Sequence, residues 1–433
     1  MNATRRHMIQ GGLFGAGLIG LRSLATGLPI SFLLRPSTAL AEETACADRQ
    51  RAQYLILSTS DAGDPVNSNV PGTYEFPDIV HPQDPQMVPV PIALGDKVYM
   101  AASPWKILPE WALARTCFFH HATLTNNHPN LPKVLKAMGA TARQEMLPSI
   151  FAKALRPCLG TVQTEPISVG AGEVLTYEGR GLPNLNPTGL RDVLTKPTGP
   201  LSRLQQLRDQ SLDRMHALLK ERGTSAQRAY LDRLARSRAE ARAISDQLLD
   251  NLAAITNDQA EGQIIAAATL IKMNVAPVVA IRIPFGGDNH ADPDLARETA
   301  ETVSGVQRIG LLLEKLREYQ LQDQVTFVML NVFGRTLKKL GTAGRDHWAS
   351  HHCSILIGKH IRPGVVGGLE PQIGDYYALP IDSKTGRGTP DGDIPFAETL
   401  SAVAKTIGAA LGVPQAVLDQ QIAKGKVVHA ALA

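Results

Sequence analysis

Mostly apolar residues run together in short blocks at 54–57, 277–283, 325–330 and 354–357, interrupted by Arg282 and Thr326 and opened by Ser354. None of these blocks alternates apolar with polar positions. A continuous run of β-formers is the pattern of a strand buried on both faces of a largely parallel sheet. Between the blocks the period changes. Leu204, Leu207, Leu212, Met215, Leu218 and Leu219 recur at helical spacing, and Leu231, Leu234, Ile244, Leu248 and Leu252 do so after Gly223. This predicts a helical hairpin over 201–257, broken at Gly223-Thr224-Ser225. Helices are also predicted over 130–138, 264–273, 299–319, 396–411 and 414–422, and minor strands near 87–93, 97–100 and 174–177. Pro- and Gly-rich stretches over 66–110 and 160–200 read as long connections. Core strands separated by helices define an α/β protein.

Polar chemistry gathers where the strands end. The first strand runs into Asp61-Ala62-Gly63-Asp64. Phe118 and Phe119 close a second, followed by a loop that holds His120, His121, Thr123, Thr125, Asn126, Asn127 and His128. The 277–283 strand ends in Gly286-Gly287-Asp288-Asn289-His290. The 325–330 strand is followed by Arg345, Asp346, His347, Trp348, His351 and His352. Open α/β sheets bind ligands in the crevice outside the carboxyl ends of their strands. Carboxylate and imidazole together suit a divalent metal, and arginine suits a bound oxyanion. A Thr hydroxyl at a strand-to-helix turn becomes a nucleophile if a metal lowers its pKa. Each signal also has a plain structural reading: an Asp-Gly turn, a Thr or Asn helix cap, or surface histidines in a polar loop.

Composition narrows the class without choosing within it. The 433 residues are 44% hydrophobic and 19% charged, with a formal net charge of +4. That charge is too mild to argue for nucleic acid or an anionic membrane surface. The N-terminus carries Arg5-Arg6 ahead of a Gly-rich, weakly apolar segment over 11–34, then Ala39-Leu40-Ala41. This reads as a Tat export signal over 1–41, cleaved to leave one α/β domain over 42–433. Arg22 interrupts the segment, so no stable membrane span is expected. The Tat export machinery is then a partner, and the periplasm or exterior the destination. Four cysteines remain after that cleavage, Cys46, Cys117, Cys158 and Cys353, and they allow three pairings. None has CxxC spacing.

The order strand-Asp, strand-hydroxyl/His, strand-Asp-x-His, strand-turn, Asp-His resembles the alkaline phosphatase and sulfatase superfamily. More narrowly, Phe333-Gly334-Arg335-Thr336 and Gly344-Arg345-Asp346-His347-Trp348 are similar to motifs of the Tat-exported family of domain of unknown function 1501. Gly287-Asp288-Asn289-His290 and Gly364-Val365-Val366-Gly367-Gly368 match it in part. The resemblance implies a three-layer α/β/α sandwich with the helical hairpin as an insertion. It also implies a metal site of Asp61 or Asp64 with Asp288, His290, Asp346 and His347, the ion being zinc, calcium or magnesium. In the hydrolase so implied, Thr123 or Thr125 is the candidate hydroxyl. Arg335 and Arg345 hold the oxyanion of a small anionic ester, and His351 or His352 protonates the leaving group. Three places depart from the family pattern: Val332 stands where a Glu is usual, Asn331 where a Ser is usual, and Ser60-Asp61-Ala62-Gly63-Asp64 lacks the usual pair of glycines. Valine cannot bind a cation, so a catalytically inactive secreted binding or assembly protein is the rival expectation. A metal-free esterase is the weakest reading, since no Gly-x-Ser-x-Gly elbow occurs.

Overall fold

The computed structural model describes Cys46 and residues 49–161, 163–170, 174–195, 246–339 and 343–433, with isolated positions between 211 and 235. The export signal expected over 1–41 and most of the hairpin expected over 201–257 lie outside the described residues. Within that hairpin, described positions on either side of Gly223 are helical, and Asp246–Ala253 forms a helix.

A mixed eight-stranded sheet forms the centre. In chain order its strands are β1 (Tyr54–Ser58), β2 (Thr116–His121), β3 (Ile167–Val169), β4 (Asn184–Leu185), β5 (Val278–Ile281), β6 (Val325–Met329), β7 (His352–Ile357) and β8 (Gly364–Val366). Across the sheet they run β8-β2-β7-β6-β1-β5-β3-β4. β1 pairs in parallel with β5 and β6, and β7 is antiparallel to both β6 and β2. One reversal brings four carboxyl ends, those of β1, β2, β5 and β6, to the same edge as the start of β7.

The apolar blocks are explained by what covers each face. Ile56, Val279, Ile281, Phe327 and Ile355 pack with the helices Ala260–Lys272 and Ala296–Glu318. Their neighbours Leu55, Leu57, Val278, Ala280, Val328 and Leu356 pack on the other side with Leu147–Leu159 and Thr399–Ala410. Successive strand residues point to opposite faces, so a strand covered on both faces must be apolar at every position. The helix expected over 130–138 is shorter. It is one turn, Leu131–Val134, and positive φ at Ala137 (46°) and Met138 (51°) prevents its continuation. Among the described residues no helix is long and apolar enough to cross a membrane.

Of the three open cysteine pairings, the fold selects Cys46–Cys158, 112 positions apart in sequence. Cys117 and Cys353 are free, and both lie inside the sheet. Burial raises the Cys117 thiol to about 12 and raises Cys353 well above the ordinary value, so neither supplies a thiolate. The disulfide ties the described start of the chain to a core helix across a long loop. Cys158→Ser should therefore cost about 2–5 kcal/mol. Urea midpoints of the variant and of the oxidised parent, compared at pH 7, measure it; coincident midpoints would contradict the expectation.

Candidate metal centre

The site is built by loops that leave the common sheet edge. The chain leaving β6 enters a small antiparallel ribbon, Gly334–Arg335 against His347–Trp348. Its register sets Arg335 opposite His347. This crossing needs glycine. A Cβ on Gly334 would stand 2.0 Å from His351 O, and one on Gly344 would stand 1.8 Å from Asn289 O. The Gly-Arg pairs of the motif thus mark places where one backbone runs against another. Gly344 N also donates to His290 O at 2.7 Å, which joins the loop after β5 to the ribbon.

Three imidazoles and a carboxylate meet there. His347 Nε2 lies 2.8 Å from His290 Nε2 and 3.1 Å from His128 Nε2. Asp288 Oδ1 lies 3.1 Å from His290 Nε2 and 3.4 Å from His347 Nε2, and Asp288 Oδ2 lies 3.6 Å from His128 Nε2. The partners of the other ring nitrogens fix the tautomers. His128 Nδ1 is 2.6 Å from Asp61 O, and His347 Nδ1 is 2.7 Å from Asn126 O. A carbonyl can only accept, so both Nδ1 atoms carry the proton. His290 Nδ1 faces Asp346 Oδ1 at 3.6 Å, and Arg335 Nη1 approaches His290 Nε2 at 3.4 Å. Nε2 of His128 and Nε2 of His347 therefore present lone pairs to the same small space, and His290 Nε2 borders it.

Facing lone pairs at this distance repel unless something positive lies between them. A proton on His347 is disfavoured: burial lowers its pKa most, with Arg335, His128 and His290 adding to the effect against the bond to Asn126. Burial raises the Asp288 carboxyl, but Arg335's hydrogen bond and charge, with His290 and His128, outweigh it and hold the pKa below the ordinary value. Neutral imidazoles with outward-held Nδ1 protons, beside an ionised carboxylate, are the state a metal ion requires of its ligands. Ligand atoms of His128, Asp288 and His347 all lie within 4.8 Å of one another. Their separations of 3.1, 3.4 and 3.6 Å are close to the roughly 3.3–3.4 Å between ligands of a tetrahedral zinc with bonds of about 2.0–2.1 Å. The site is open to solvent, for the side chains of Asp288 and His290 are 48% and 45% exposed.

The remaining residues singled out in the sequence fall elsewhere, and several change role. Asp61 anchors His128 through its carbonyl, while its carboxylate lies 3.7 Å from Arg282 Nη1. Asp64 is buried. It accepts from Phe285 N at 3.0 Å, Gly287 N at 2.8 Å and Asn331 Nδ2 at 3.3 Å, so it shapes the Gly-Gly turn instead of facing a ligand. Asp346 borders the cluster from outside: its Oδ1 accepts from His347 N at 2.8 Å and lies 3.6 Å from His290 Nδ1. Thr123 Oγ1 is buried against Thr125 O and Ala349 O. Thr125 Oγ1 accepts from Asn127 N and Asn130 Nδ2, which steadies the turn that carries His128. Neither hydroxyl is presented as a nucleophile.

Arg345 corrects the oxyanion expectation most clearly. It is wholly buried, donating to both oxygens of Glu298 and to the carbonyls of Thr336, Leu337 and Val80. Arg335 is equally buried, with its guanidinium on Asp288 and loop carbonyls. His352 opens β7 and His351 precedes it; both are buried, and burial lowers both pKa values well below the ordinary value. They are not placed to protonate a leaving group. Val332 is packed in the apolar core with its N–H on Ser60 O, so no carboxylate enters from that position. His128 is the member of the cluster that sequence reasoning passes over. Its signal was its place in the loop after β2, beyond the buried His120 and His121.

The fold and site thus define a mixed α/β protein with a His/Asp cluster at the carboxyl edge of its sheet. Residues 183–380 match the model of a family described as a protein of unknown function, DUF1501, which supports the resemblance read from the motifs. That span holds Asp288, His290, Arg335 and His347 but not His128. No curated protein matches the chain. A solved structure titled "Crystal structure of Ps i-CgsB" aligns at 12% identity over 84% of this chain and 72% of that chain, with a TM-score of 0.32. That score is too low to bear on the fold.

Proposed function

We propose that this protein is an exported metalloprotein that holds a divalent transition-metal ion at His128, Asp288, His290 and His347 and hydrolyses a small anionic ester there. The observation that carries the reading is the convergence of two proton-free Nε2 atoms, of His128 and His347, on one carboxylate, with His290 Nε2 beside them. Imidazole-rich donor sets favour zinc over calcium or magnesium, which prefer oxygen. When bound, such an ion supplies Lewis acidity to an ester oxygen or to water. The chain's own groups do the rest. Asp61 O and Asn126 O hold two imidazoles in the ligating tautomer. Arg335 keeps Asp288 ionised. Arg282, beside Asp61, and Arg297, whose Nη1 is 3.5 Å from Asp288 O, are cationic side chains exposed enough to meet an anionic substrate. Kinship with the alkaline phosphatase and sulfatase superfamily and Tat export belong to this reading through the motifs and the twin-arginine start.

A second reading keeps the sheet and the ion but omits turnover, leaving a secreted binding or assembly factor. The burial of Val332 and the structural engagement of Thr123 and Thr125 favour it.

Metal content decides first. Protein exported through its own N-terminus should carry tightly bound zinc by mass spectrometry, and Asp288→Ala or His347→Ala should weaken zinc affinity at least tenfold against a chelating dye. A comparable loss follows when even an outer partner of a metal ligand is removed. A folded parent without metal affinity would end the metalloprotein reading. Zinc-loaded parent is then screened on aryl phosphates and aryl sulfates. Turnover that disappears in Asp288→Ala supports the hydrolase, and its absence on both classes moves the binding reading ahead.

A further inference from the structure

A cation is already present inside the cluster, covalently part of the chain. The Arg335 side chain is fully buried. Its Nε donates to Gly63 O at 2.5 Å. Its Nη2 reaches Ala62 O at 2.9 Å, Asp288 Oδ1 at 2.7 Å and Gly287 O at 3.4 Å. Its Nη1 reaches His290 Nε2 and Arg345 O at 3.4 and 3.5 Å. Five oxygens and one imidazole nitrogen therefore surround a single positive charge. Mostly carbonyl and carboxylate oxygens, drawn from several loops, make the donor set that a hard cation takes. Here a guanidinium fills it.

The backbone at Arg335 is held as firmly as its side chain. Asn67, buried and distant in sequence, accepts from Arg335 N at 3.0 Å and donates to Arg335 O at 2.8 Å. The amide's orientation is set in turn. Asn67 Nδ2 lies 3.1 Å from His351 Nδ1, His351 Nε2 lies 2.9 Å from His120 Nδ1, and His120 Nε2 lies 2.8 Å from Pro71 O. Pro71 O can only accept, so each link has one donor arrangement: His120 to Pro71, His351 to His120, Asn67 to His351. Burial pushes the His120 pKa down to about 4, and His351 well below the ordinary value, so the chain stays neutral. His351, a candidate general acid by the resemblance, therefore helps with His120 to fix where Arg335 sits.

We propose that Arg335 is a resident cation that limits this cluster to one metal ion. The inference rests on the metal-binding reading above and adds its stoichiometry and the reason for it. The guanidinium uses one face of Asp288 and the oxygens of the adjoining shell, and its charge repels a second divalent ion. The imidazoles of His128 and His347, with Asp288 Oδ2 and the open side of His290, are left for a single ion. An apolar residue at position 332 then costs the site nothing, because no second metal needs a carboxylate there.

The test is a count. Full-length protein is titrated with Zn2+ and, separately, with Ca2+, and bound equivalents are read by native mass spectrometry and equilibrium dialysis. The parent should bind one zinc and no calcium. Arg335→Ala should bind a second equivalent, with calcium accepted because the vacated donors are mostly oxygens. Arg335→Gln removes the charge with less disturbance of the fold and should also admit a second ion, whereas Arg335→Lys should stay at one. Two equivalents in the parent would overturn the proposal and leave the metal reading intact. Folded Arg335→Ala or Arg335→Gln protein that remains at one would also overturn it. A parent that binds no zinc would instead remove the metal reading on which it rests.

Discussion

Arg345→Ala is expected to destabilise the protein by about 3–5 kcal/mol, the usual cost of leaving one member of a buried ion pair alone. Arg345 and Glu298 are both fully buried, with Nε 2.7 Å from Glu298 Oε2 and Nη2 3.0 Å from Glu298 Oε1. Glu298 also accepts from Asn69 at 2.7 Å and Asn289 at 3.0 Å. Without the arginine, a carboxylate remains in the interior with amides for company. The carbonyls of Thr336, Leu337 and Val80 lose their donor as well. The pair also joins the helix Ala296–Glu318 and the loop after β5 to the ribbon that carries His347, so zinc affinity should fall along with stability. Glu298→Ala alone should cost a similar amount, and the double variant less than the sum of the two, because no charge is then left unpaired. Urea unfolding at pH 7 measures all three. Additive losses would show that the two groups act separately.

Acidification is expected to unfold the protein between pH 6.5 and about 4. His120, His121, His351 and His352 are buried, and burial is the largest cause lowering each. For His120 and His121 the folded value is about 4 against an ordinary 6.5. Above pH 6.5 both folded and unfolded chains hold these rings neutral, and stability is undiminished. Below it the unfolded chain takes up protons that the folded chain refuses, so stability falls until the folded rings also titrate near 4. A shift of that size corresponds to roughly 3 kcal/mol for each ring. Asp375 works the other way. Burial raises its pKa from 3.8 to about 6 despite hydrogen bonds from Tyr376, Lys338 and Leu337. The folded chain keeps that proton between these values, so this group gains stability as pH falls and offsets about one histidine. Urea midpoints at pH 7.5, 6 and 5, taken with a chelator present so that metal loss does not enter, should decline steeply. A level profile would show that these rings are not held neutral.

The sheet was legible because its signal is local. A strand covered on both faces must be apolar throughout, and the blocks at 54–57, 277–283 and 325–330 say so without reference to any other part of the chain. The edge of the site was legible for a related reason, since parallel strands share a carboxyl end. Asp288, His290 and His347 follow from that rule. Arg345, His351 and His352 do not, because chemical type gives no account of burial. His352 opens a strand covered on both faces, His351 immediately precedes it, and Arg345 faces a glutamate 47 residues away in sequence.

The sequence by itself determined the alternation of strands and helices, the glycines that permit two backbones to cross, and a supply of carboxylates and imidazoles at strand ends. It left three cysteine pairings open and could not separate Thr123 and Thr125 from His128 as the working residue of their loop. The tertiary structure made those choices. Reversal of β7 set His351 and His352 against β2, and the ribbon register set Arg335 beside His347. Carbonyls at Asp61 and Asn126 turned the His128 and His347 rings so that their bare nitrogens converge. The physical reason is the range of the forces involved. Hydrophobic periodicity is written into neighbouring residues, whereas the protonation, burial and partners of a polar side chain depend on groups brought near by folding from distant parts of the chain.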